Sequence, residues 1–208
     1  MVQFTISPYN PDWPKQFKSI AADLENDLKL SSAPFLAIEH VGSTSVPGLA
    51  AKPIIDIMIV IAEPIPFTDM DNNTTYPDKT HYALIFGERP GGYRPIGDGG
   101  VQGRWSFKLY REDLPARNLY VVVKDSVIYR SYLSLRETLR KPFYRELRDE
   151  YAAVKFELAE REWEGVMEYS TAKNEIVRKI LRRAGWTNEQ VDAKEKGVVK
   201  GWGGLGLY

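Results

Sequence analysis

The chain contains no cysteine and only two histidines among its 208 residues. The absence of cysteine excludes disulfide bonds, a thiolate nucleophile and a metal site built on cysteine ligands. Basic and acidic residues number 28 each, so the formal net charge is zero, which argues against non-specific binding of nucleic acid. No apolar run approaches the roughly 20 residues of a membrane span, and the first residues do not resemble a secretory signal. We therefore expect a cytoplasmic protein with no membrane partner.

What is present is the composition of an ordinary globular protein. Hydrophobic residues make up 43% of the chain and charged residues 27%, which allows a full core. The hydrophobic periodicity changes from mixed to helical near residue 125. We predict a single domain over residues 1–186, with an α/β core at 1–125 and a helical half at 126–186. A polar helix and a glycine-rich tail are predicted at 187–208.

The first part of the chain combines one amphipathic helix with several short strands. Pro14 falls in the first turn of the predicted helix, where proline is tolerated. The apolar run at 54–61 does not alternate with polar residues, which indicates a strand buried on both faces. The predicted elements are a helix at 13–30, strands at 35–41, 54–61, 82–86, 105–110 and 118–123, loops at 64–79 and 88–103, and a turn at 112–115.

Helical spacing dominates the second part of the chain. Ser126 can cap a helix that runs over 126–140. The helix is predicted to end there because Pro142 disfavours helical geometry in the residue before it. A second amphipathic helix is predicted at 142–163. Ser170 can cap a third helix at 170–184, whose cationic residues near the C-terminus suit the helix dipole.

The segment at 38–61 places a Gly-Ser turn between two apolar runs and an acid within the second run. Gly42 lets backbone N–H groups approach a phosphate, and the hydroxyls of Ser43, Thr44 and Ser45 can donate to its oxygens. Asp56 lies among Ile, Met and Val residues, where a carboxylate is costly unless it is paired, hydrogen-bonded or bound to a metal. A phosphate site and a simple turn with a capping Asp both fit these residues taken alone.

A longer stretch, HVGSTSVPGLAAKPIIDI at 40–57, resembles the GrpB family, a branch of the nucleotidyltransferase-like superfamily. The family pattern is approximately H-[IV]-G-S-T-[SA]-V-P-G-L-x-A-K-P-x-I-D-[IL], and every position is met. Three further segments are similar to helical segments of the family: LRETLRKP at 135–142, YAAVKFELA at 151–159 and YSTAKNEIV at 169–177. The resemblance implies an α+β fold with a nucleotidyltransferase-like mixed β-sheet core, an N-terminal helix, a C-terminal helical half and a pocket between them.

The resemblance also implies a site at that pocket. Gly42 and Ser43 would hold the phosphates of a nucleoside triphosphate, and Asp56 would hold Mg²⁺ and act in catalysis with Ser43. Two-metal transfer needs a second carboxylate two residues further along the strand, where both point to one face. That position is Met58, which cannot bind Mg²⁺, and the later strands at 105–110 and 119–123 supply no third acid.

A second departure lies at 118–121, where NLYV replaces the HLHV that GrpB relatives generally carry. The two histidines of that segment are therefore missing. Nucleotidyl transfer on the usual two-metal plan is disfavoured, and two alternatives stay open. One is a single metal held by Asp56 and the phosphates of the ligand, and the other is binding without chemistry.

Lysine and tyrosine side chains supply candidate contacts to an anionic ligand. Lys52 lies close in sequence to the strand of Asp56 and can reach the same pocket or point to solvent. Tyr151 and Lys155 are four residues apart, as are Tyr169 and Lys173, so each pair shares one helical face. Two lysines and two phenols in a cleft suit a polyphosphate or a carboxylate. Solvated lysines beside packed tyrosines are the alternative.

Five further basic residues are candidates. Arg136 and Arg140 can clamp an anion together or pair with neighbouring acids at the surface. Arg104 and Lys108 share one face of a predicted strand because their spacing is even. With Arg117, which begins the next strand, they predict a basic lining opposite the acid.

These observations favour a protein that binds a nucleotide or a phosphorylated small molecule, with a metal-dependent transferase as the enzymatic form of the hypothesis. His40 is expected to hydrogen-bond the Gly-Ser turn rather than act as a base or a metal ligand. A non-catalytic binding module is an alternative, because Met58 replaces an acid. An enzyme that uses aminoacyl-tRNA or an RNA end is a third hypothesis, which the zero net charge disfavours and which predicts a steep loss of affinity with salt.

Overall fold

The computed structural model describes residues 1–62, 92–97, 101 and 104–199. The strands in these residues are β1 (Ala37–Val41), β2 (Ile55–Ile61), β3 (Arg94–Gly97), β4 (Arg104–Arg111) and β5 (Leu114–Val123). The α-helices are α1 (Trp13–Leu30), α2 (Val127–Arg140), α3 (Arg145–Ala159), α4 (Val166–Thr171), α5 (Asn174–Arg183) and α6 (Asn188–Val199). Short 3₁₀ helices span Ser43–Ser45 and Pro142–Tyr144.

The strands form one mixed sheet in the order β1-β2-β5-β4-β3. β2 and β5 run parallel, whereas the other neighbouring strands of this described sheet run antiparallel. β4 and β5 form a hairpin that turns at Glu112 and Asp113, as the sequence predicts. Helices precede and follow the sheet, so the fold class is α+β, and the predicted class is confirmed.

Alternation along β2 gives the sheet two different faces. The face that packs on α1 is apolar, and its β2 residues are almost fully buried: Ile55, Ile57, Ile59 and Ile61. α1 contributes four buried residues at helical spacing: Trp13, Ile20, Leu24 and Leu28. We call this surface the α1 face of the sheet.

The opposite surface, which we call the helical face, carries Asp56 and Met58 of β2 and packs against the C-terminal helices. Met58 is fully buried in an apolar cluster with Val60 and with Ile128 of α2. A second cluster joins the segment after the Gly-Ser turn to the helical half: Val46, Leu49, Leu139, Leu147, Tyr151, Ile176 and Ile180. The helical half is therefore held to the sheet by apolar packing on either side of Asp56.

The first helix of the helical half begins and ends where the sequence predicts. The hydroxyl oxygen of Ser126 accepts a hydrogen bond from the backbone N–H of Tyr129, which caps α2. α2 ends at Arg140, ahead of Pro142. The polar helix predicted after residue 186 is α6, while the domain boundary at 186 stays a prediction. No helix of the described residues is long and apolar enough to cross a membrane.

Two helix predictions are wrong in their bounds. The helix predicted at 170–184 is two helices, α4 and α5, and Ser170 lies within α4 instead of capping a helix. The apolar period continues through both helices, so it gives no sign of the break between them. The helix predicted at 142–163 ends at Ala159, because the backbone of Trp163 pairs with Val2 in a β-bridge.

One strand was not predicted. β3 falls within the segment predicted as a glycine-rich loop at 88–103, and it forms because Arg94 and Pro95 pair with Lys108 and Phe107 of β4. The strand predicted at 82–86, the loop at 64–79 and the glycine-rich tail at 200–208 lie outside the described residues.

Candidate functional site

A cavity of about 210 Å³ lies between the helical face of the sheet and the helical half. We call it the Asp56 pocket, because this aspartate is the acidic side chain among the residues that line it. Its lining residues come from the N-terminal segment, the Gly-Ser turn, β2, β5 and the helices: Ile6, Ser43, Thr44, Ala51, Lys52, Ile54, Asp56, Asn118, Tyr120, Lys155, Val166, Tyr169, Ser170 and Lys173.

The Gly-Ser turn approaches Asp56 so closely that residue 42 must be glycine. Gly42 has a φ of 69°, and a Cβ atom built on it would lie 2.3 Å from Oδ2 of Asp56. The turn is held from within by the Ser45 hydroxyl, which donates to the carbonyl of Gly42 at 2.6 Å. Because Gly42 has no side chain, the carboxylate of Asp56 can pack against the backbone of the turn.

Asp56 is held by two hydrogen bonds from β5. Its Oδ1 accepts from the amide nitrogen of Asn118 at 2.8 Å and from the hydroxyl of Tyr120 at 3.2 Å. The parallel pairing causes this, because Asn118 lies opposite Asp56 and Tyr120 lies opposite Met58. Burial raises the pKa of Asp56, while the two hydrogen bonds and then Lys173 and Lys52 oppose the rise.

Asn118 and Tyr120 occupy the two positions at which the family pattern has histidine. The carbonyl oxygen of Asn118 accepts from the hydroxyl of Tyr110 at 3.2 Å, which directs its amide nitrogen toward Asp56. Both residues therefore act as hydrogen-bond donors to the carboxylate. Neither supplies the imidazole nitrogen that would suit a transition metal.

Lys52 lies between two aromatic rings at the pocket. Its Nζ is 3.3 Å from the ring centroid of Phe4 and 3.9 Å from that of Tyr169. Burial, together with the charges of Lys173 and Lys108, lowers the pKa of Lys52 to about 7, although Asp56 opposes the shift. The ring faces attract the ammonium form, so the aromatic contacts also oppose deprotonation.

Lys155 and Lys173 reach the pocket from the helical half. Lys155 is 3% exposed and its ammonium donates to the carbonyl of Ala50. Burial lowers the pKa of Lys155 to about 7, with a smaller contribution from Lys173. Burial also lowers the pKa of Lys173 to about 8, and Asp56 opposes this. Both lysines line the pocket rather than a solvated helix face.

The predicted tyrosines lie beside these lysines. The ring centroid of Tyr151 is 4.4 Å from Nζ of Lys155, and the ring centroid of Tyr169 is 4.4 Å from Nζ of Lys173. Burial raises the pKa of Tyr151 above its usual value, and the nearby side chain of Ser43 opposes the rise. Within the described residues, the Tyr169 hydroxyl is buried and has no hydrogen-bond partner.

Two of the predicted basic residues lie near the pocket without lining it. Lys108 of β4 pairs with Asn118 and Arg104 with Val122, so both lie on the helical face, as their even spacing predicts. Arg104 donates to the hydroxyl of Tyr132 at 3.1 Å and lies over the ring of Tyr120. Arg104 therefore lies further along the helical face of the sheet than Asp56 does.

The other predicted arginines lie away from the pocket. Arg117 precedes Asn118 and so points to the α1 face, over the ring of Tyr93. Arg136 pairs with Glu39, with 2.7 Å between Nη1 and Oε2, and Arg140 donates twice to the carbonyl of Ser45. The structure does not bring these three arginines together with Asp56. Arg117 lies one residue from Asn118 and so on the opposite face, and Glu39 and the carbonyl of Ser45 bind the two arginines of α2.

His40 has the role expected of it, as a partner of the turn. Its Nε2 lies 3.0 Å from the hydroxyl of Thr44, and its ring stacks on Phe17 with 4.6 Å between centroids. Burial, together with the charges of Arg140 and Arg136, lowers the pKa of His40 to about 4. The ring is therefore neutral near pH 7 and is paired with Thr44 rather than with Ser43.

The described side chains around Asp56 do not supply a set of ligands for Mg²⁺. Among the described residues no group of three or more His, Cys, Asp or Glu side chains could hold a metal ion. Mg²⁺ requires near-octahedral oxygen ligands. Oδ1 of Asp56 already accepts two hydrogen bonds, Oδ2 lies against Gly42, and the neighbouring charges are ammonium groups. Within the described residues Asp56 therefore has no partner ligands for a metal, and its metal role stays a prediction.

Several lining residues were missed by reasoning from the sequence. Asn118 and Tyr120 were noted only as replacements for histidine, and the strand register that turns them toward Asp56 is not visible in a single sequence. Ile6, which lines the pocket, and Phe4, which contacts Lys52, were missed because their segment is held by two isolated β-bridges, Val2 with Trp163 and Ser7 with Ala51. No local pattern signals such an isolated bridge.

Comparison with known proteins agrees with this architecture. The sequence model of the family described as "GrpB protein" matches residues 3–183. The chain therefore belongs to the GrpB family. The crystal structure of conserved protein GrpB from Enterococcus faecalis has 26% sequence identity and a TM-score of 0.64, and the match covers 86% of this chain and 96% of that one.

Two bacterial relatives illustrate the range of similarity. UPF0157 protein BH1888 of Halalkalibacterium halodurans is 37% identical over 186 residues, which cover 88% of this chain and 83% of the relative. UPF0157 protein PA4798 of Pseudomonas aeruginosa is 34% identical over 180 residues, which cover 86% of this chain and 66% of the relative. The names of these relatives state no activity.

Proposed function

We propose that this GrpB-family protein binds a small phosphorylated molecule, or the phosphate end of a nucleotide, in the Asp56 pocket. The observation that carries the proposal is the charge around the cavity. Three lysines, Lys52, Lys155 and Lys173, line it together with one carboxylate among the side chains described there. An anion would offset the excess positive charge of the lysines when they are protonated.

Hydroxyl groups complement the lysines. Ser43 and Thr44 line the cavity from the turn, and Tyr169 lines it from α4. In the described part of the chain, the Tyr169 hydroxyl is buried without a hydrogen-bond partner, which is costly unless a ligand or water accepts from it. An oxygen of a phosphoryl group is a suitable acceptor.

The size of the pocket favours a phosphoryl group over a whole nucleotide. Cavities that enclose drug-sized ligands usually measure about 300–1,000 Å³. The Asp56 pocket measures about 210 Å³. A phosphate monoester with a small organic part fits that volume, whereas the sugar and base of a nucleotide would lie outside it.

Group transfer is a second candidate function, because proton transfer near neutral pH needs a group whose pKa is close to 7. The pKa values of Lys52 and Lys155, both about 7, meet that need. With water as the acceptor of the transferred group, incubation with nucleoside triphosphates should then release phosphate or pyrophosphate, and Lys155→Met should abolish the release. Binding without release would leave the protein a binding module.

Thermal unfolding of the purified chain with added anions tests the binding proposal. Inorganic phosphate, glycerol 3-phosphate and ATP are compared, and a ligand at one hundred times its Kd should add about 2.7 kcal/mol to the free energy of unfolding. Lys173→Met should remove the stabilisation by the anion. Lys179→Met is the matched control, since Lys179 is an exposed lysine of α5 that pairs with Glu150.

Two results would contradict the proposal. One is the absence of stabilisation by any of the three anions, and the other is equal stabilisation of the wild type and Lys173→Met. The dependence of affinity on salt concentration tests the alternative hypothesis that the protein binds an RNA end. Affinity for an RNA oligonucleotide would fall by several powers of ten over a modest salt range, whereas affinity for a single phosphate monoester would change little.

A further inference from the structure

We infer that the Asp56 pocket binds its phosphorylated ligand without a divalent cation, and that lysine ammonium groups supply the positive charge that Mg²⁺ supplies in metal-dependent phosphate sites. This inference rests on the proposed function, because it concerns how the same pocket neutralises its ligand. It narrows the ligand class to free phosphate monoesters, as opposed to metal complexes of nucleoside triphosphates.

The first argument is the environment of the two carboxylate oxygens. Oδ1 of Asp56 accepts hydrogen bonds from Asn118 and Tyr120 at 2.8 and 3.2 Å. Oδ2 would lie 2.3 Å from a Cβ atom at Gly42, so it packs against the backbone of the turn. A hydrated Mg²⁺ would have to displace donors that hold the carboxylate on one side and the turn on the other.

The second argument is the sign of the surrounding charge. Lys52 and Lys173 act on Asp56 strongly enough to oppose the rise in its pKa, so both ammonium groups lie in its field. Lys155 adds a third amine to the pocket lining. A divalent cation at Asp56 would be repelled by these groups. A dianion would be attracted by them, and a phosphate monoester carries close to two negative charges at neutral pH.

The third argument is the place where a second acid would stand. Two residues after Asp56, on the same face of β2, the side chain of Met58 is fully buried with Val60, Val122 and Ile128. That position is part of the hydrophobic core and not of the pocket lining. Position 58 therefore supplies no second carboxylate for a metal.

Binding of the ligand and protonation of the lysines support each other in this arrangement. In the pocket, Lys52 and Lys155 have pKa values of about 7 and Lys173 has one of about 8. A bound dianion favours the ammonium forms and raises these values. The protein can therefore supply the positive charge when the ligand arrives, without recruiting an ion.

Isothermal titration of the full chain at about pH 7 tests the inference. Inorganic phosphate and glycerol 3-phosphate are titrated once in EDTA and once in excess Mg²⁺. The expected Kd values agree within about twofold between the two conditions. Lys173→Met should weaken binding at least tenfold, about 1.4 kcal/mol, with Lys52→Met as a second variant if the first does not fold. The control Lys179→Met should bind like the wild type.

Asp56→Asn distinguishes a carboxylate that binds a metal from one that has no part in binding a metal. Asparagine keeps the shape of the side chain, and its carbonyl can still accept from Asn118. If lysines supply the charge, this variant should bind glycerol 3-phosphate in EDTA at least as well as the wild type at about pH 6, where the lysines are protonated. If Asp56 is a metal ligand, the variant should lose the Mg²⁺-dependent part of the affinity.

The outcomes separate the inference from the proposed function. Binding of phosphate monoesters that requires Mg²⁺ and disappears in Asp56→Asn would overturn the inference while leaving the pocket an anion site. Absence of binding in both EDTA and Mg²⁺ would overturn the proposed function and the inference together. Equal binding in both conditions that depends on Lys173 would support both.

Discussion

The two faces of the sheet bury different kinds of side chain. On the α1 face, the four isoleucines of β2 pack against one amphipathic helix in a cluster of apolar side chains. On the helical face, the same strand buries Met58 next to a carboxylate that needs two hydrogen-bond donors and nearby ammonium groups. Burying a charge is costly. The face that carries this cost is the one that contains the pocket.

Met58→Asp should produce the largest effect, because it extends the polar part of the helical face into the core. The new carboxylate would lie among Val60, Val122 and Ile128. An unpaired buried charge costs on the order of 3–5 kcal/mol, so we expect a protein that is largely unfolded at 37 °C. Chemical denaturation followed by circular dichroism measures the loss.

The matched variant Met58→Leu conserves volume and should cost less than about 1.5 kcal/mol. A stable Met58→Asp protein that gains Mg²⁺ binding would contradict the assignment of this position to the core.

Ile57→Ala tests the α1 face, one residue away on the same strand. Ile57 is fully buried, and truncation to alanine should cost about 2–5 kcal/mol of the free energy of unfolding. The Kd for glycerol 3-phosphate, measured by titration well below the melting temperature, should stay at the wild-type value. A changed Kd in the folded variant would show that the two faces are coupled.

Gly42→Ala should have a smaller but still clear effect on stability. The added methyl group would meet Oδ2 of Asp56, and the φ of 69° is unfavourable for alanine. Backbone strain of this kind costs about 1–3 kcal/mol. Thermal unfolding should therefore show a lowered melting temperature, with binding weakened because Asp56 and the turn must move apart. Gly48→Ala is the control for strain alone, because Gly48 also has a positive φ but its added Cβ would lie 3.9 Å from the nearest atom, Nε of Arg148.

The pH dependence of binding should be the gentlest of these effects. Pocket lysines with pKa values of about 7, 7 and 8 lose their charge as the pH rises, so affinity for a phosphate monoester should fall roughly tenfold or more between about pH 7 and pH 9. Below about pH 6 the ligand itself gains a proton, and affinity should fall again.

The same lysines affect the stability of the empty protein. Their folded-state pKa values lie below the unfolded value of 10.5, so the unfolded chain binds more protons between about pH 7 and pH 10. Their contribution to stability therefore increases with pH over that range, opposite to the trend in affinity. Melting curves of the wild type and Lys155→Met at several pH values check the sign. Parallel trends in affinity and stability would contradict it.

Reasoning from the sequence succeeded where one local pattern decided the outcome. The strand at 54–61 and the capped helix α2 each follow from spacing within a few residues. The Gly-Ser turn, Lys155 and Lys173 were singled out by short motifs, and they line one pocket. The roles assigned to them stay predictions.

What the sequence could not reveal depends on pairings between distant segments. Whether Asn118 or Arg117 faces Asp56 is decided by the register of β5 against β2, and a shift of one residue would exchange them. Arg136 and Arg140 looked equally available for an anion, but Glu39 and the carbonyl of Ser45 already bind them. Such partners are a property of the tertiary structure.

The wide sequence separation of the pocket residues has a kinetic consequence. Asp56 and Asn118 are 62 residues apart, and the carbonyl of Ala50 and the ammonium of Lys155 are 105 apart. Contacts that close long loops are slow to form, whereas helices form within about a microsecond. We therefore expect the helices to form early in folding and the pocket, which needs both long closures, to be among the last parts of the molecule to form.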